Sequence, residues 1–214
     1  MRFAYISQYD NPVHRQYALS LTESANRELL EADSIPEDAE NWLADNDIDM
    51  LIISTFNRRR ALQHCLDRCR EIRIPYLILT DTMTKLQMPR HLLLPVSMLE
   101  EEVNKGQIAS NIARFTNAYS YILKAHDYGH KAQINTQKIV TLFERFNLQC
   151  EVVEAKTDSF HVNREAVERQ KDFQQDMVVL TASRAYGLDD IIFGPQERHC
   201  LAHSQVPVLL VNPR

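Results

Sequence analysis

Two stretches of the chain repeat the same order of short elements. Asp49–Thr55 (Asp-Met-Leu-Ile-Ile-Ser-Thr) returns as Asp176–Ala182 (Asp-Met-Val-Val-Leu-Thr-Ala). Each stretch is followed by His-Cys-Leu and then by an apolar run that contains a proline, at Pro75 in the first copy and at Pro207 in the second. A fixed order of similar elements is typical of a duplicated supersecondary unit. The sequence therefore predicts two related halves, which constrains the fold more than any other feature.

Apolar runs and amphipathic stretches alternate in both halves. The second half reads β-α-β-α-β-α-β-α-β, from a strand at 91–96 to a strand at 207–211. Strict alternation with short connections predicts right-handed crossovers and a doubly wound parallel sheet. The first half reads β-α-α-β-α-β, and apolar residues at i, i+4 spacing predict that its first helix runs from Pro12 through Leu29.

The two halves differ in length. The interval from the first strand to the Asp-Met strand is 46 residues in the first half (3–49) and 84 in the second (92–176). The difference of 38 residues equals the length of 119–156, a β-α-β piece that we expect the first half to lack. We therefore predict an α/β protein with two Rossmann-like, doubly wound parallel-sheet domains, a truncated one at 1–83 and a complete one at 91–214.

Glycine content and charge exclude several classes of protein. A net charge of −5 provides no polybasic surface for nucleic acid, and the Arg58–Arg60 run reads as a solvated helix start. No apolar stretch reaches the roughly 20 residues of a membrane span. Four cysteines without a tight framework suit a reducing cytoplasm. The glycines are too few and too scattered for a dinucleotide-binding or phosphate-binding loop; they are Gly106, Gly129, Gly187 and Gly194.

The strands of the second half resemble those of a known family in order and spacing. Leu92–Val96, the long helix after it, Asp176–Leu180 and Val206–Val211 are similar to the universal stress protein (UspA-like) family, in which tandem two-domain members are known. The resemblance implies HUP-type domains and a cytoplasmic stress-response or regulatory protein that acts by binding and dimerisation and is not an enzyme. It also implies that the last strands, Tyr76–Leu79 and Val208–Val211, pair the two halves into an internal pseudo-dimer, and that exposed last-strand edges form a further homodimer.

The family's nucleotide site is altered in this chain. Nucleotide-binding members carry an aspartate after the first strand's proline and G-x-x-G-x9-G-[ST] after the fourth strand, where backbone N–H groups approach phosphates. Ser97 stands at the aspartate position, Ala182–Ala185 replaces the first glycines, and Gly194 is followed by Pro195. We therefore expect no cofactor. The alternative is an ATP- or AMP-binding protein with a recast crevice, whose candidate residues are Ser97, Ala182, Arg184, Gly194 and Gln196.

Clusters of histidine, cysteine and glutamate receive structural interpretations. His199 and His203 share a helix face, but no further ligand is spaced for a metal. Cys65 and Cys69 lie on one helix face and are expected to be buried thiols, since a disulfide within a helix has poor geometry. Glu100–Glu102 is expected to favour a helix N-terminus. No Ser-His-Asp or Cys-His pattern predicts a catalytic residue.

Overall fold

Nine strands form one sheet in the computed structural model, which describes residues 1–83, 86–182 and 196–213 and, of Gln170, the backbone. They are β1 (Arg2–Ser7), β2 (Glu28–Ala32), β3 (Ile48–Thr55), β4 (Tyr76–Thr80), β5 (His91–Val96), β6 (Tyr119–Lys124), β7 (Cys150–Glu154), β8 (Met177–Thr181) and β9 (Val208–Val211). Their order across the sheet is β2-β1-β3-β4-β9-β8-β5-β6-β7. The predicted α/β class is confirmed.

Helices cover both faces of this sheet. They are α1 (Pro12–Ser24), α2 (Ala39–Asp45), α3 (Arg59–Cys69), α4 (Glu102–Thr116), α5 (Lys131–Arg145), α6 (Val162–Glu168), α7 (Gln170–Phe173) and α8 (Gln196–His203). Helices α1, α4 and α5 bury apolar residues against one face, and the other helices bury theirs against the opposite face. Strands covered on both faces read as continuous apolar runs, which explains why the sequence marks them clearly.

The two halves meet at an antiparallel pair of strands. β4 and β9 pair with Tyr76 opposite Leu210 and Ile78 opposite Val208, whereas the other neighbouring strands of the sheet pair in parallel. Both last strands therefore have a neighbour on each side. The last strands pair with each other, as predicted, and neither keeps a free edge for a further homodimer. Homodimerisation itself stays a prediction.

The first helix ends earlier than its apolar spacing predicts. Asn11 caps α1, because its side chain accepts hydrogen bonds from the N–H groups of Val13 and His14 at 3.1 and 3.2 Å. The helix stops at Ser24, and Asn26 takes a left-handed conformation with φ of 53°. Leu29 then lies in β2 rather than in the helix. The apolar residues after the turn belong to a half-buried edge strand, whose pattern over five residues is too short to distinguish from a helix end.

Strand β2 also changes what the first half lacks. The order β2-β1-β3-β4 matches the order β6-β5-β8-β9, with β7 lying beyond β6. Relative to the second half, the first therefore lacks one helix and one strand, at the positions of α5 and β7, and not the β-α-β piece predicted from the length difference. Two apolar clusters, one on each face, contain residues of both halves. The division at 1–83 and 91–214 consequently stays a prediction within a continuous sheet and core.

Candidate functional site

Two strand ends lie side by side where the chain reverses direction across the sheet in the second half. β5 ends at Val96 and its parallel neighbour β8 ends at Thr181. The chain leaves β5 for α4 on one face, whereas α8, the next described helix after β8, lies on the other. In open α/β sheets such a switch point forms a crevice at the carboxyl ends of the strands. We call the group of Ser97, Glu102, Lys105 and Thr181 the second-half crevice.

A carboxylate occupies the second-half crevice. Glu102, at the start of α4, is only 2% exposed. Its Oε1 accepts a hydrogen bond from the Ser97 hydroxyl at 2.6 Å, and its Oε2 accepts one from the Thr181 hydroxyl at 3.1 Å. The two strand ends are therefore connected through one buried side chain of the following helix.

Lys105 balances the charge of that carboxylate. It lies one helical turn after Glu102, is fully buried, and its ammonium group pairs with Glu102 and donates to the carbonyl of Pro95. Burial lowers the pKa of Lys105, and the neighbouring Glu102 carboxylate acts in the opposite direction. A buried ion pair with further hydrogen bonds satisfies both charges in place, and removal of either partner would leave the other uncompensated.

The first half has a crevice at the corresponding place. In the strand register Met50 pairs with Phe3 as Met177 pairs with Leu92, so Ser54 corresponds to Thr181 and Gln8 to Ser97. We call the group of Gln8, His14, Ser54 and Thr55 the first-half crevice.

A neutral histidine occupies the first-half crevice. His14 of α1 is 2% exposed, and its Nδ1 lies 2.6 Å from the Ser54 hydroxyl. Burial lowers the pKa of His14 to about 4, against a smaller opposing effect of Asp81. Thr55 donates a hydrogen bond to the side-chain oxygen of Gln8 at 2.6 Å. Both crevices thus hold a buried polar side chain from the first helix of their half, and the two differ in charge.

Comparison with known proteins identifies the family. The sequence model of the Universal stress protein family matches residues 57–212, well over half of the chain. The chain belongs to the universal stress protein family. A comparison with curated proteins finds no match.

Solved structures share the fold. The universal stress protein of Archaeoglobus fulgidus superposes with a TM-score of 0.67 at 11% identity, covering 100% of this chain and 86% of that one. A functionally unknown protein of Pseudomonas aeruginosa gives 0.59 at 12% identity, covering 99% and 82%. At these identities the likeness concerns the fold alone.

The structure describes three of the five residues predicted for a recast nucleotide site in this universal stress protein. Ser97 lies in the second-half crevice, where its hydroxyl is used by Glu102. Ala182 directly follows β8, is buried, and its N–H donates to the carbonyl of Val211 at 2.9 Å. Gln196 is exposed at the start of α8. Arg184 and Gly194 lie outside the described residues, so the recast site stays a prediction.

Sequence reasoning missed the side chains that fill the two crevices. The sequence pattern assigns Glu102 only to an acidic helix start and assigns no role to Lys105 or His14. A signal was present in the spacing, because Glu102 and Lys105 continue the buried face of Ala109 and Ile112 toward the start of α4. Polar residues in line with an apolar stripe at the first turn of a helix mark side chains that point into the crevice beyond the sheet.

The histidine and cysteine clusters have structural surroundings. The rings of His199 and His203 stack with centroids 4.1 Å apart, and burial followed by the charge of His203 lowers the pKa of His199. Cys65 and Cys69 are buried free thiols, as predicted. Within the described ranges no group of three or more histidine, cysteine or acidic residues is placed to hold a metal ion.

The helices in residues 1–83, 86–182 and 196–213 are too short or too polar for a membrane span: none of them combines the required length with the required apolar character.

Proposed function

We propose that this universal stress protein is a cytoplasmic stress-response or regulatory protein that acts by binding a partner protein and by dimerisation. In this proposal it does not bind ATP and is not an enzyme. One observation carries the proposal: the buried Glu102 carboxylate occupies the crevice at the ends of β5 and β8.

The occupied hydrogen-bond donors favour an empty nucleotide site. A phosphate brought to the ends of β5 and β8 would meet the Glu102 carboxylate, to which the hydroxyl groups of Ser97 and Thr181 already donate. Binding would therefore require these hydrogen bonds to be broken in a buried site, where an unpaired polar group is costly. The Lys105 ammonium group is engaged by Glu102 and by the Pro95 carbonyl, so it supports the carboxylate rather than an incoming anion.

The tandem arrangement is part of the proposal. Antiparallel pairing of β4 with β9 relates two halves of matching strand order, which supports two copies of one unit, 1–83 and 91–214, that meet as a pseudo-dimer within the chain. A duplicated unit whose two crevices are filled by its own side chains, and not by a nucleotide, is suited to binding other proteins through its surface. A further homodimer would use surfaces outside the β4–β9 junction.

Thermal unfolding with nucleotide tests the proposal. Because a ligand of the native state raises the melting temperature, we expect millimolar ATP or AMP with magnesium to leave it unchanged relative to a salt-matched buffer. Adenosine without phosphate serves as a control for effects of the base. A saturable rise in melting temperature, or an adenine absorbance band in the purified protein, would contradict the proposal and favour the ATP- or AMP-binding alternative.

A further inference from the structure

The two copies of the repeated aspartate have different surroundings. Asp176, before β8, is 1% exposed, and it accepts hydrogen bonds from residues 86–90, which we call the linker, and from the first residue of β5. The Gln87 side chain donates to its Oδ1 at 2.7 Å, and the N–H groups of Arg90 and His91 donate to its Oδ2 at 2.9 and 3.1 Å. In the second half, therefore, this aspartate anchors the segment that leads into β5.

The corresponding aspartate of the first half has different partners among the described residues. Asp49 precedes Met50 as Asp176 precedes Met177. Its side chain is 34% exposed, and its Oδ2 lies 3.3 Å from the Arg27 guanidinium. Its Oδ1 is shielded from solvent and has no hydrogen-bond partner among the described residues. A shielded acceptor without a donor is uncommon in folded proteins, so this partly exposed carboxylate has hydrogen-bonding capacity that the described residues do not fill.

The linker covers the surface between α1 of the first half and the start of the second half's strands. Leu86 and Met88 flank Gln87 and pack against the apolar cluster on the α1 side of the sheet. All three line a shallow cavity with Tyr17 and Ser20 of α1. The Asp176 carboxylate also contributes, after burial, to raising the pKa of Tyr17, so α1 of the first half lies close to the repeated aspartate of the second.

The corresponding surface, between α4 of the second half and the start of the first half's strands, forms an open cavity. A cavity of about 660 Å³ lies between α4 of the second half and the starts of β1, β3 and β4 of the first. Its apolar surface includes Met50, Pro75, Ile108 and Phe115, and Asp49 lies at its wall. We call this the open groove. It lies at the amino ends of the parallel strands, at the opposite end of the sheet from the first-half crevice.

Positive charge lines the open groove. Among the described residues, the arginines Arg27, Arg73 and Arg114 line it together with one carboxylate, Asp49. Arg73 and Arg114 are exposed, the former 3.4 Å from Glu40 and the latter over the ring of Phe146. The open groove therefore favours a ligand with negative charge at its ends.

We propose that the open groove binds an extended peptide segment of a partner protein, in which apolar side chains flank an N–H donor for Asp49 and acidic residues face Arg73 and Arg114. The linker is the model for such a peptide. Its Gln87 donates a hydrogen bond to Asp176, the counterpart of Asp49, while Leu86 and Met88 on either side pack against apolar residues. The volume of the groove lies within the range of sites that bind small ligands or a few residues of a peptide. This inference rests on the proposed function, and it identifies the open groove as the surface that contacts the partner protein.

Fluorescence anisotropy with a labelled peptide, Asp-Glu-Leu-Gln-Met-Pro-Glu-Asp, tests the proposal. We expect saturable binding to the full chain that weakens about tenfold or more when Arg73→Glu and Arg114→Glu are combined, because rim charges steer and hold an acidic partner. The matched control combines Arg59→Glu and Arg60→Glu, an equal change of charge at the exposed start of α3. The control is expected to leave the affinity within about twofold, by the usual size of surface effects.

A double-mutant cycle locates the peptide's glutamine. Replacement of that glutamine by leucine should weaken binding to the wild-type chain about tenfold, the effect of a hydrogen bond to a charged group, and should have little effect on the Asp49→Ala variant. An unchanged melting temperature establishes that each variant is folded.

Three results would overturn the inference: no saturable binding up to about 1 mM peptide, an equal loss in the matched control, or no coupling to Asp49. Nucleotide binding would contradict the proposed function separately, since it is measured without the peptide and concerns the other end of the sheet.

Discussion

The two crevices occupy equivalent places in the sheet and contain opposite solutions to the same problem. In the second half a charged pair, Glu102 with Lys105, fills the space beyond the strand ends. In the first half an uncharged pair, His14 with Ser54, fills it. Each solution satisfies the polar groups at the strand ends without a ligand. The difference indicates that the repeat preserves the strands and the first helix, whereas the chemistry at the strand ends is free to diverge.

The charged crevice should be the more sensitive of the two to loss of a partner. Lys105→Met leaves the Glu102 carboxylate buried without compensation, and we expect the free energy of unfolding to fall by about 3–5 kcal/mol. Urea denaturation measures the change. Combining Lys105→Met with Glu102→Gln removes both charges and should recover part of the loss. Gln107→Ala, at an exposed position of the same helix, provides the control and should change stability by less than about 0.5 kcal/mol. A Lys105→Met variant as stable as the wild type would contradict the importance of the pair.

Acid should weaken the first-half crevice through His14. Its pKa in the folded state is about 4, below the value of about 6.5 expected in the unfolded chain. The unfolded state therefore binds the proton more tightly, and stability is lost as the pH falls from about 6.5 toward 4, by up to about 3 kcal/mol. Urea denaturation at several pH values measures this loss.

The contribution of His14 is separated from that of other groups by His14→Asn. An asparagine amide reaches toward Ser54 without titrating, so the difference between variant and wild type should shrink or change sign as the pH falls through this window. A difference that stays constant between pH 7 and 4 would show that His14 is protonated in the native protein or does not titrate there.

Much of the scaffold could be predicted from the sequence, for an identifiable physical reason. Central strands such as β3 and β8 are buried on both faces and read as unbroken apolar runs, and the cap formed by Asn11 and Pro12 is local chemistry. The edge strand β2 is half-buried and short, so a helical spacing through Leu29 competed with it. Because the sequence pattern does not reveal β2, it assigns the 38-residue difference between the halves to a β-α-β piece and not to one helix and one strand.

Side-chain partners across the sheet were less predictable. Ser97 could be placed at a strand end from its position after Pro95 and Val96, but its partner Glu102 comes from the turn of a helix, in a run of three glutamates whose members look alike in sequence. The partners of Asp49 and Asp176 depend on where the linker runs, which requires the antiparallel junction of β4 and β9. The strands can be predicted from local sequence pattern, whereas the hydrogen-bond partners of polar side chains depend on the order of the strands in the sheet.

The smallest expected effect compares two serines with equal hydrogen-bond lengths. Ser97 donates to the Glu102 carboxylate at 2.6 Å, and the Ser54 hydroxyl lies 2.6 Å from the His14 ring nitrogen; both serines are buried. Hydrogen bonds to a charged group contribute about 1.5–3 kcal/mol, against about 0.5–1.5 kcal/mol for neutral pairs. We therefore expect Ser97→Ala to lower the free energy of unfolding by more than Ser54→Ala at pH 7. Ser97 also accepts from the N–H of Leu99 at 3.3 Å, which adds to its loss. Equal losses in urea denaturation would mean that the Glu102 charge is screened or absent in the folded protein, and the contrast between the crevices would then be one of shape rather than charge.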